Sequence, residues 1–287
     1  MTTTTTAIAV RGLRKAYGST HAVAGVDLDI DAGEVFALLG PNGAGKTTTV
    51  EILEGFRRRD GGEVDVLGID PGRPTAEWRS RIGIVLQSTG GNDELTVDEL
   101  IHHFAGYYPN SRNPDDVIVA VGLDDKRRTR SRHLSGGQRR RLDVALGILG
   151  RPDLLFLDEP TTGFDPEARR EFWALIDDLA DGGTTIILTT HYLDEAEHLA
   201  DRVGVIANGR IVAVDTPSHL GGRADAQATV RWVEDGHARS TATTEPTGTV
   251  QQLAGRFGGE VPGLQVVRPT LEDVYLTLIG ENGAEES

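Results

Sequence analysis

The sequence predicts an α/β fold in which apolar strands alternate with helices. Three observations carry this expectation. Gly40-Pro41-Asn42-Gly43-Ala44-Gly45-Lys46-Thr47-Thr48 fits the P-loop pattern G-x-x-x-x-G-K-[ST]. It lies between an apolar run, Glu34–Leu39, and a helical stretch to about Phe56, the context such a loop requires. Second, Leu154-Leu155-Phe156-Leu157 reads as a buried central strand, ended by Asp158 and Glu159 and stopped by Pro160. Third, Leu134-Ser135-Gly136-Gly137-Gln138 opens a helical pattern in which Leu142, Ala145, Leu146 and Leu149 share a face.

The P-loop carries the most specific chemistry. Its glycines let backbone N–H groups turn inward onto phosphate oxygens. The following helix N-terminus adds partial positive charge. Lys46 is placed to reach β- and γ-phosphates, and the Thr47 hydroxyl to hold Mg²⁺. The sequence therefore predicts binding of a nucleoside triphosphate.

The remaining elements follow in order. Residues 1–6, threonine-rich after Met1, read as a disordered tail. Val26, Leu28 and Ile30 alternate with Asp27 and Asp29, so one face of that strand is wet. Thr96-Val97-Asp98-Glu99 is a capping box for a helix through about Tyr107, and Asn113-Pro114 starts another that ends at Gly122. The basic runs at Arg57–Arg59, Arg127–Arg132 and Arg139–Arg141 read as solvated helix ends and faces, because acidic residues surround them. Asp165-Pro166 caps and starts a helix that reaches Gly182-Gly183. Thr184–Thr189 is a short buried strand, and Asn208-Gly209 is a hairpin turn.

After Leu220 the pattern changes. Gly221-Gly222 reads as a linker. Beyond it come a strand over Gln227–Val233, a helix over Thr249–Phe257 opened by Thr249 and Gln252, and a strand over Leu264–Val267. Thr270-Leu271-Glu272-Asp273 caps a last helix to Ile279, on which Leu271, Val274, Tyr275 and Leu278 make one apolar stripe.

Composition narrows the class. The 287 residues allow one large domain and a small one. No apolar run approaches the roughly 20 residues of a membrane helix, and the N-terminus lacks signal-peptide features. The absence of cysteine excludes disulfides and thiolate metal sites. A formal net charge of −15 argues against a nucleic-acid partner or an anionic membrane surface.

From about Ile8 to Leu220 the chain resembles the ATP-binding subunit of ABC transporters, with every motif of that set in order. Tyr17 matches the adenine-stacking aromatic and is placed in a loop. Gly40–Thr48 matches Walker A, Gln87 the Q-loop, and Leu134–Gln138 the signature. Leu154–Glu159 matches Walker B, Thr161–Pro166 the D-loop region, and His191 the switch histidine. One departure is Phe164, where the family usually carries leucine. The resemblance implies a RecA-like P-loop NTPase core with an antiparallel β subdomain and a helical subdomain at about 88–150. It divides the chain into an ATPase domain at 7–220 and a small α/β domain at 221–287.

The resemblance also implies roles. Gly40, Pro41, Asn42, Gly43, Ala44, Gly45, Lys46, Thr47 and Thr48 hold the phosphates. Thr47, Gln87 and Asp158 hold Mg²⁺. Glu159 polarises the attacking water, with His191 and Gln87 placing it. Ser135, Gly136, Gly137, Gln138 and Asp165 belong to the second face of a composite site, closed by a second ATPase subunit. The segment Ser88–Leu95 is expected to meet a separate membrane permease at the cytoplasmic face. Arg268–Tyr275 looks like the tail of daunorubicin-type drug and antibiotic export ATPases. An exporter ATPase for drugs, antibiotics or lipids is therefore the leading expectation. An importer ATPase and a soluble ABC ATPase of translation or DNA repair are the alternatives, the last weakened by one P-loop and no cysteine.

Overall fold

The computed structural model describes residues 5–85 and 94–283. Strands β1 (Thr6–Tyr17) and β2 (Thr20–Asp31) form a long antiparallel hairpin. β3 (Val35–Leu39) leads through the P-loop into α1 (Lys46–Leu53), after which β4 (Gly61–Val66) returns to the other edge of β1. α2 (Ala76–Ser80) and β5 (Ile82–Val85) follow. α3 (Val97–Ala105), α4 (Pro114–Ala120) and α5 (Gly136–Ile148) make the helical block.

Then β6 (Leu154–Asp158), α6 (Pro166–Asp181), β7 (Thr185–Thr189) and α7 (Leu193–Leu199) alternate, and β8 (Arg202–Ala207) and β9 (Arg210–Asp215) pair as a hairpin. The last elements are β10 (Ala228–Glu234), β11 (His237–Thr243), α8 (Pro246–Phe257), β12 (Gln265–Val267) and α9 (Leu271–Gly283).

The main sheet has the order β5-β6-β7-β3-β8-β9, parallel except for β9. Its central strands are buried on both faces, which is why they read as unbroken apolar runs. Pleating sends alternate residues to opposite sides. Ala37, Leu39, Leu155, Leu157, Ile186 and Leu188 join the core shared with α3 to α7 and α9. Phe36, Leu38, Leu154, Phe156 and Ile187 join the core under α1 and the β2-β1-β4 sheet. Each fully buried large apolar side chain contributes about 1.5–3 kcal/mol.

Caps fix several boundaries where the sequence expects them. Thr96 and Glu99 form a reciprocal capping box on α3, and Asn113 caps α4 with Pro114 in its first turn. Thr270 and Asp273 cap α9 in the same way. Other expectations need correction. Tyr17 is the last residue of β1, paired with Thr20, rather than a loop residue. α8 starts at Pro246, three positions before Thr249, because proline's fixed φ suits a first helical turn. β11 is absent from the sequence reading. It pairs with β10 across Asp235-Gly236, both at positive φ, a hairpin signal passed over.

The C-terminal stretch has two parts. β10, β12 and α8 enclose a small core of Val230, Leu253 and Val261, flanked by Trp232 and Phe257. α9 instead returns to the main core: Leu271 is buried there, with Val274, Tyr275 and Leu278 packed against it. Gly221 and Gly222 take left-handed backbone angles, φ 58° and 76°, and form a kink within the short helical turns of Leu220–Asp225, rather than a free linker. A Cβ on Gly221 would sit 2.6 Å from Val274 Cγ1, so α9 closes directly over this glycine.

Candidate ATP site

The ends of β3, β6 and β7 are adjacent in the sheet, so the segments that follow them converge at one crevice. The P-loop follows β3, Asp158-Glu159 ends β6, and His191 follows β7. A cleft of about 280 Å³ is lined by Ala22, Asn42, Gly43, Gly45, Lys46, Thr47, Thr48, Asp158 and Glu159. A larger hollow of about 820 Å³ beside it touches the P-loop only at Gly43 and has no carboxylate in its lining, so it is not where the chemistry gathers.

The loop's glycines are dictated by close approach. Gly45 has φ 105°, and a Cβ there would lie 2.2 Å from the Ala22 carbonyl oxygen. Gly45 caps α1 without any side-chain bond, which leaves first-turn N–H groups free for an anion. Lys46 Nζ donates to the carbonyls of Gly40 (2.6 Å) and Pro41 (3.1 Å). Burial lowers the Lys46 pKa, opposed by the charges of Glu159 and Asp158.

At the end of β6, the Thr189 hydroxyl donates to Asp158 Oδ1. Glu159 adopts φ 45°, a left-handed conformation uncommon for a side-chain-bearing residue, and its N–H donates to Thr189 O at 2.9 Å. His191 Nδ1 stands 3.3 Å from Glu159 Oε1. Backbone strain at a carboxylate beside an imidazole is a recurrent property of reacting centres. A carboxylate and a hydroxyl in one cleft are hard oxygen donors of the kind Mg²⁺ takes, so Asp158 and Thr47 fit that ion. Bound there with a triphosphate, it would neutralise phosphate charge. Glu159 can accept a proton from a water, and His191 can fix the direction of that carboxylate.

Sequence reasoning missed two groups. Glu54, at the end of α1, is buried, and burial with help from Asp158 and Glu51 pushes its carboxyl up to about 8. It ionises less readily than a free glutamate, which tempers the negative charge beside Asp158. Arg140, in the run expected to be solvated, is also buried. Its guanidinium donates to Pro160 O at 3.1 Å and to Asp158 O, clamping the end of β6 to the signature helix. Both are invisible to a reading based on composition, because tertiary burial decides them. The other basic runs make ion pairs: Arg57 with Glu51, Arg59 with Asp70, Arg127 with Asp98, Asp115 and Asp124, and Arg141 with Glu171.

The structure does not bring every expected site residue into the cleft. Tyr17 is outside its lining, half-exposed, with Lys15 Nζ and the Arg57 guanidinium 5.5 and 5.4 Å from its ring centroid. Ser135 and Gln138 bond each other in a capping box at the start of α5, and with Gly136 and Gly137 they stand apart from the cleft. Asp165 caps α6, accepting from the N–H groups of Glu167 (3.0 Å) and Ala168 (2.8 Å). Phe164 packs edge-to-face on Phe172, 5.6 Å between centroids, so the aromatic replacement is absorbed by the core. Gln87 and the segment after it to Asp93 lie outside the described residues.

The comparisons with known proteins agree with this geometry. The ABC transporter family model matches residues 23–162. The chain is 38% identical over 314 residues to a daunorubicin/doxorubicin resistance ATP-binding protein of Streptomyces peucetius, covering 99% of this chain and 95% of that one. It is 37% identical over 300 residues to a Nod factor export ATP-binding protein of Rhizobium sp. (strain N33), covering 96% and 97%. Among solved structures, the ATP-binding subunit of an ABC transporter superposes with a TM-score of 0.70 at 22% identity, over 94% of this chain and 98% of that one. A dimeric cassette bound to ADP and Pi superposes with a TM-score of 0.66 at 21% identity, covering 73% and 98%. These last two likenesses concern the fold alone. With the P-loop, the carboxylate pair and the relatives in agreement, the chain belongs to the ATP-binding subunits of ABC transporters and is an ATPase.

Proposed function

We propose that this ATPase powers export of a drug, antibiotic or lipid through a separate membrane permease, working as a pair at the cytoplasmic face. The observation that carries the reading is coverage. Two daunorubicin resistance relatives and one Nod factor export relative align over 96% or more of the chain, so the likeness to them includes the C-terminal extension as well as the ATPase motifs. No helix among the described residues is long and apolar enough to cross a membrane, and in this reading a separate permease carries the substrate.

In this reading Gly40–Thr48 hold the triphosphate and Tyr17 stacks on adenine. Thr47, Asp158 and Gln87 bind Mg²⁺, while Glu159 acts as base with His191 and Gln87 positioning the water. Ser135, Gly136, Gly137, Gln138 and Asp165 serve the ATP held by the second subunit. Support for pairing is the placement of the signature outside the chain's own cleft. The segment Ser88–Leu95 meets the permease. The chain divides functionally into 7–220 and 221–287.

The test is co-expression of this chain with a candidate permease and measurement of anthracycline accumulation in cells. Lower accumulation, restored to the control level by Glu159→Gln, supports the reading. Equal accumulation with a permease that co-purifies with the chain overturns export of this substrate class.

A further inference from the structure

Glu195, in the first turn of α7, is fully buried, yet neither carboxylate oxygen closes a hydrogen bond. A buried carboxylate without closed partners is costly and rare enough to require a reason. Around it stand the hydroxyls of Thr161 and Thr190, the indole N–H of Trp173 and the guanidinium of Arg169. Thr161 Oγ1, Trp173 Nε1 and Arg169 Nε are likewise buried and unbonded. An acceptor and its donors have thus been gathered in one place without being drawn tight.

The position of these groups gives the cluster its meaning. Thr161 lies two residues after Glu159, and Thr190 directly precedes His191. Thr190 Oγ1 also accepts the N–H of Tyr192 at 3.0 Å, holding the turn that presents His191. The Tyr192 ring lies 4.1 Å from that of His191 and carries the Arg169 guanidinium 4.5 Å from its centroid. Arg169 Nη1 in turn donates to Asp194 at 2.9 Å. A contiguous set of contacts therefore runs from α6 through Glu195 and Tyr192 to the imidazole beside Glu159.

We propose that Glu195 is a positioning residue for ATP hydrolysis, its buried carboxylate tying the segments behind Glu159 and ahead of His191 to α6 so that the imidazole is held on the Glu159 carboxylate. The inference rests on the reading of Glu159 and His191 as the hydrolytic pair. Thr161 follows the strand-end carboxylates, Thr190 precedes the switch, and the Glu195 carboxylate stands among the hydroxyls of both. Its charge is opposed by burial, which raises its pKa, and favoured by the donors and Arg169. Trp173 and Arg169 anchor the assembly to α6, whose N-cap is Asp165.

The experiment is single-turnover ATP hydrolysis by the purified full chain, with affinity for a fluorescent ATP analogue measured alongside. Glu195→Gln keeps the shape but turns one acceptor into a donor facing donors. The expected result is a fall in the hydrolysis rate on the order of tenfold, with analogue affinity unchanged. In a His191→Ala background the same substitution adds no further loss, because its route to the chemistry has been removed. A wild-type rate for Glu195→Gln beside an impaired His191→Ala overturns the proposal alone. So does an equal loss in both backgrounds, which marks a structural effect independent of the histidine. A wild-type rate for His191→Ala overturns the hydrolytic pair itself. Should Glu195→Gln fail to fold, Thr161→Val, which removes one donor at near-constant volume and breaks no other hydrogen bond, carries the same comparison.

Discussion

The two halves of the nucleotide machinery are built on opposite principles. The Walker half gathers within the chain: a parallel sheet brings Lys46, Thr47, Asp158 and Glu159 to one crevice, with His191 beside Glu159. The N-terminus of α1 there carries no side-chain cap, which leaves its first-turn N–H groups to a ligand. The signature half is turned on itself. Ser135 and Gln138 satisfy each other's backbone groups, and none of the motif lines the crevice. A site that is assembled can recruit a triphosphate alone. A helix start that is stable without a ligand and displaced from its own chain's cleft suits presentation to another molecule. Lesions in the two halves should therefore differ in kind, with the Walker half governing capture and chemistry and the signature half governing closure.

The largest effect is expected at Lys46. Its ammonium now rests on two P-loop carbonyls and is the charge poised over the cleft. Charge-assisted bonds to phosphate are roughly twice as strong as neutral ones. Lys46→Ala should remove measurable ATP binding and hydrolysis together, read by titration of a fluorescent nucleotide and by phosphate release. Retained affinity in the folded variant would break the assignment of capture to this half.

Glu159→Gln should divide the Walker half internally. Glutamine preserves shape but cannot take a proton, and loss of a general base typically costs about 10²–10⁴-fold in rate. Nucleotide affinity should be kept, and size-exclusion chromatography with ATP and Mg²⁺ should show a trapped dimer. A monomer with undiminished turnover counts against both the base and the pairing.

Ser135→Ala should separate the halves. It removes the cap of α5, a loss of about 1 kcal/mol in stability. Binding of ATP by the monomer should be unaffected, whereas the dimer trapped in the Glu159→Gln background should disappear. If the dimer persists at wild-type yield, the signature serine is a cap and nothing more.

The Walker half was the more legible in the sequence, for a physical reason. Its residues are consecutive, or sit at the ends of apolar strands, so local pattern and spacing encode them. The strand ends at Leu39, Asp158 and Thr189 follow from runs that only a doubly buried sheet explains. Arg140, Glu54 and Glu195 were illegible because their burial depends on which helix packs over which strand. The stripe on α9 shows the same limit. Its periodicity was readable, but the choice between β10–β12, a second subunit and the main core was not. The core received it because Leu220 and Gly221 leave a surface that Leu271 and Val274 fill.

The smallest effect is a control that should touch neither half. Arg59 grips Asp70 through two bonds, Nη1 to Oδ1 at 2.6 Å and Nη2 to Oδ2 at 2.9 Å, and the Gly72 N–H adds a third. The guanidinium holds the Asp70 carboxyl down at about 2. A carboxyl depressed in the folded chain stabilises above its unfolded value of 3.8, and that contribution is lost as pH falls through about 2. Because 41% of the Asp70 side chain remains exposed, solvent screening limits the gain to about 0.5–1 kcal/mol. Asp70→Asn should therefore lower the thermal midpoint slightly at pH 5–7, with the gap from wild type narrowing by pH 3. ATP affinity and ATP-driven dimerisation should both match wild type. A change in either would mean that the antiparallel sheet transmits to the crevice, and that the division between capture and closure is less clean than the geometry implies.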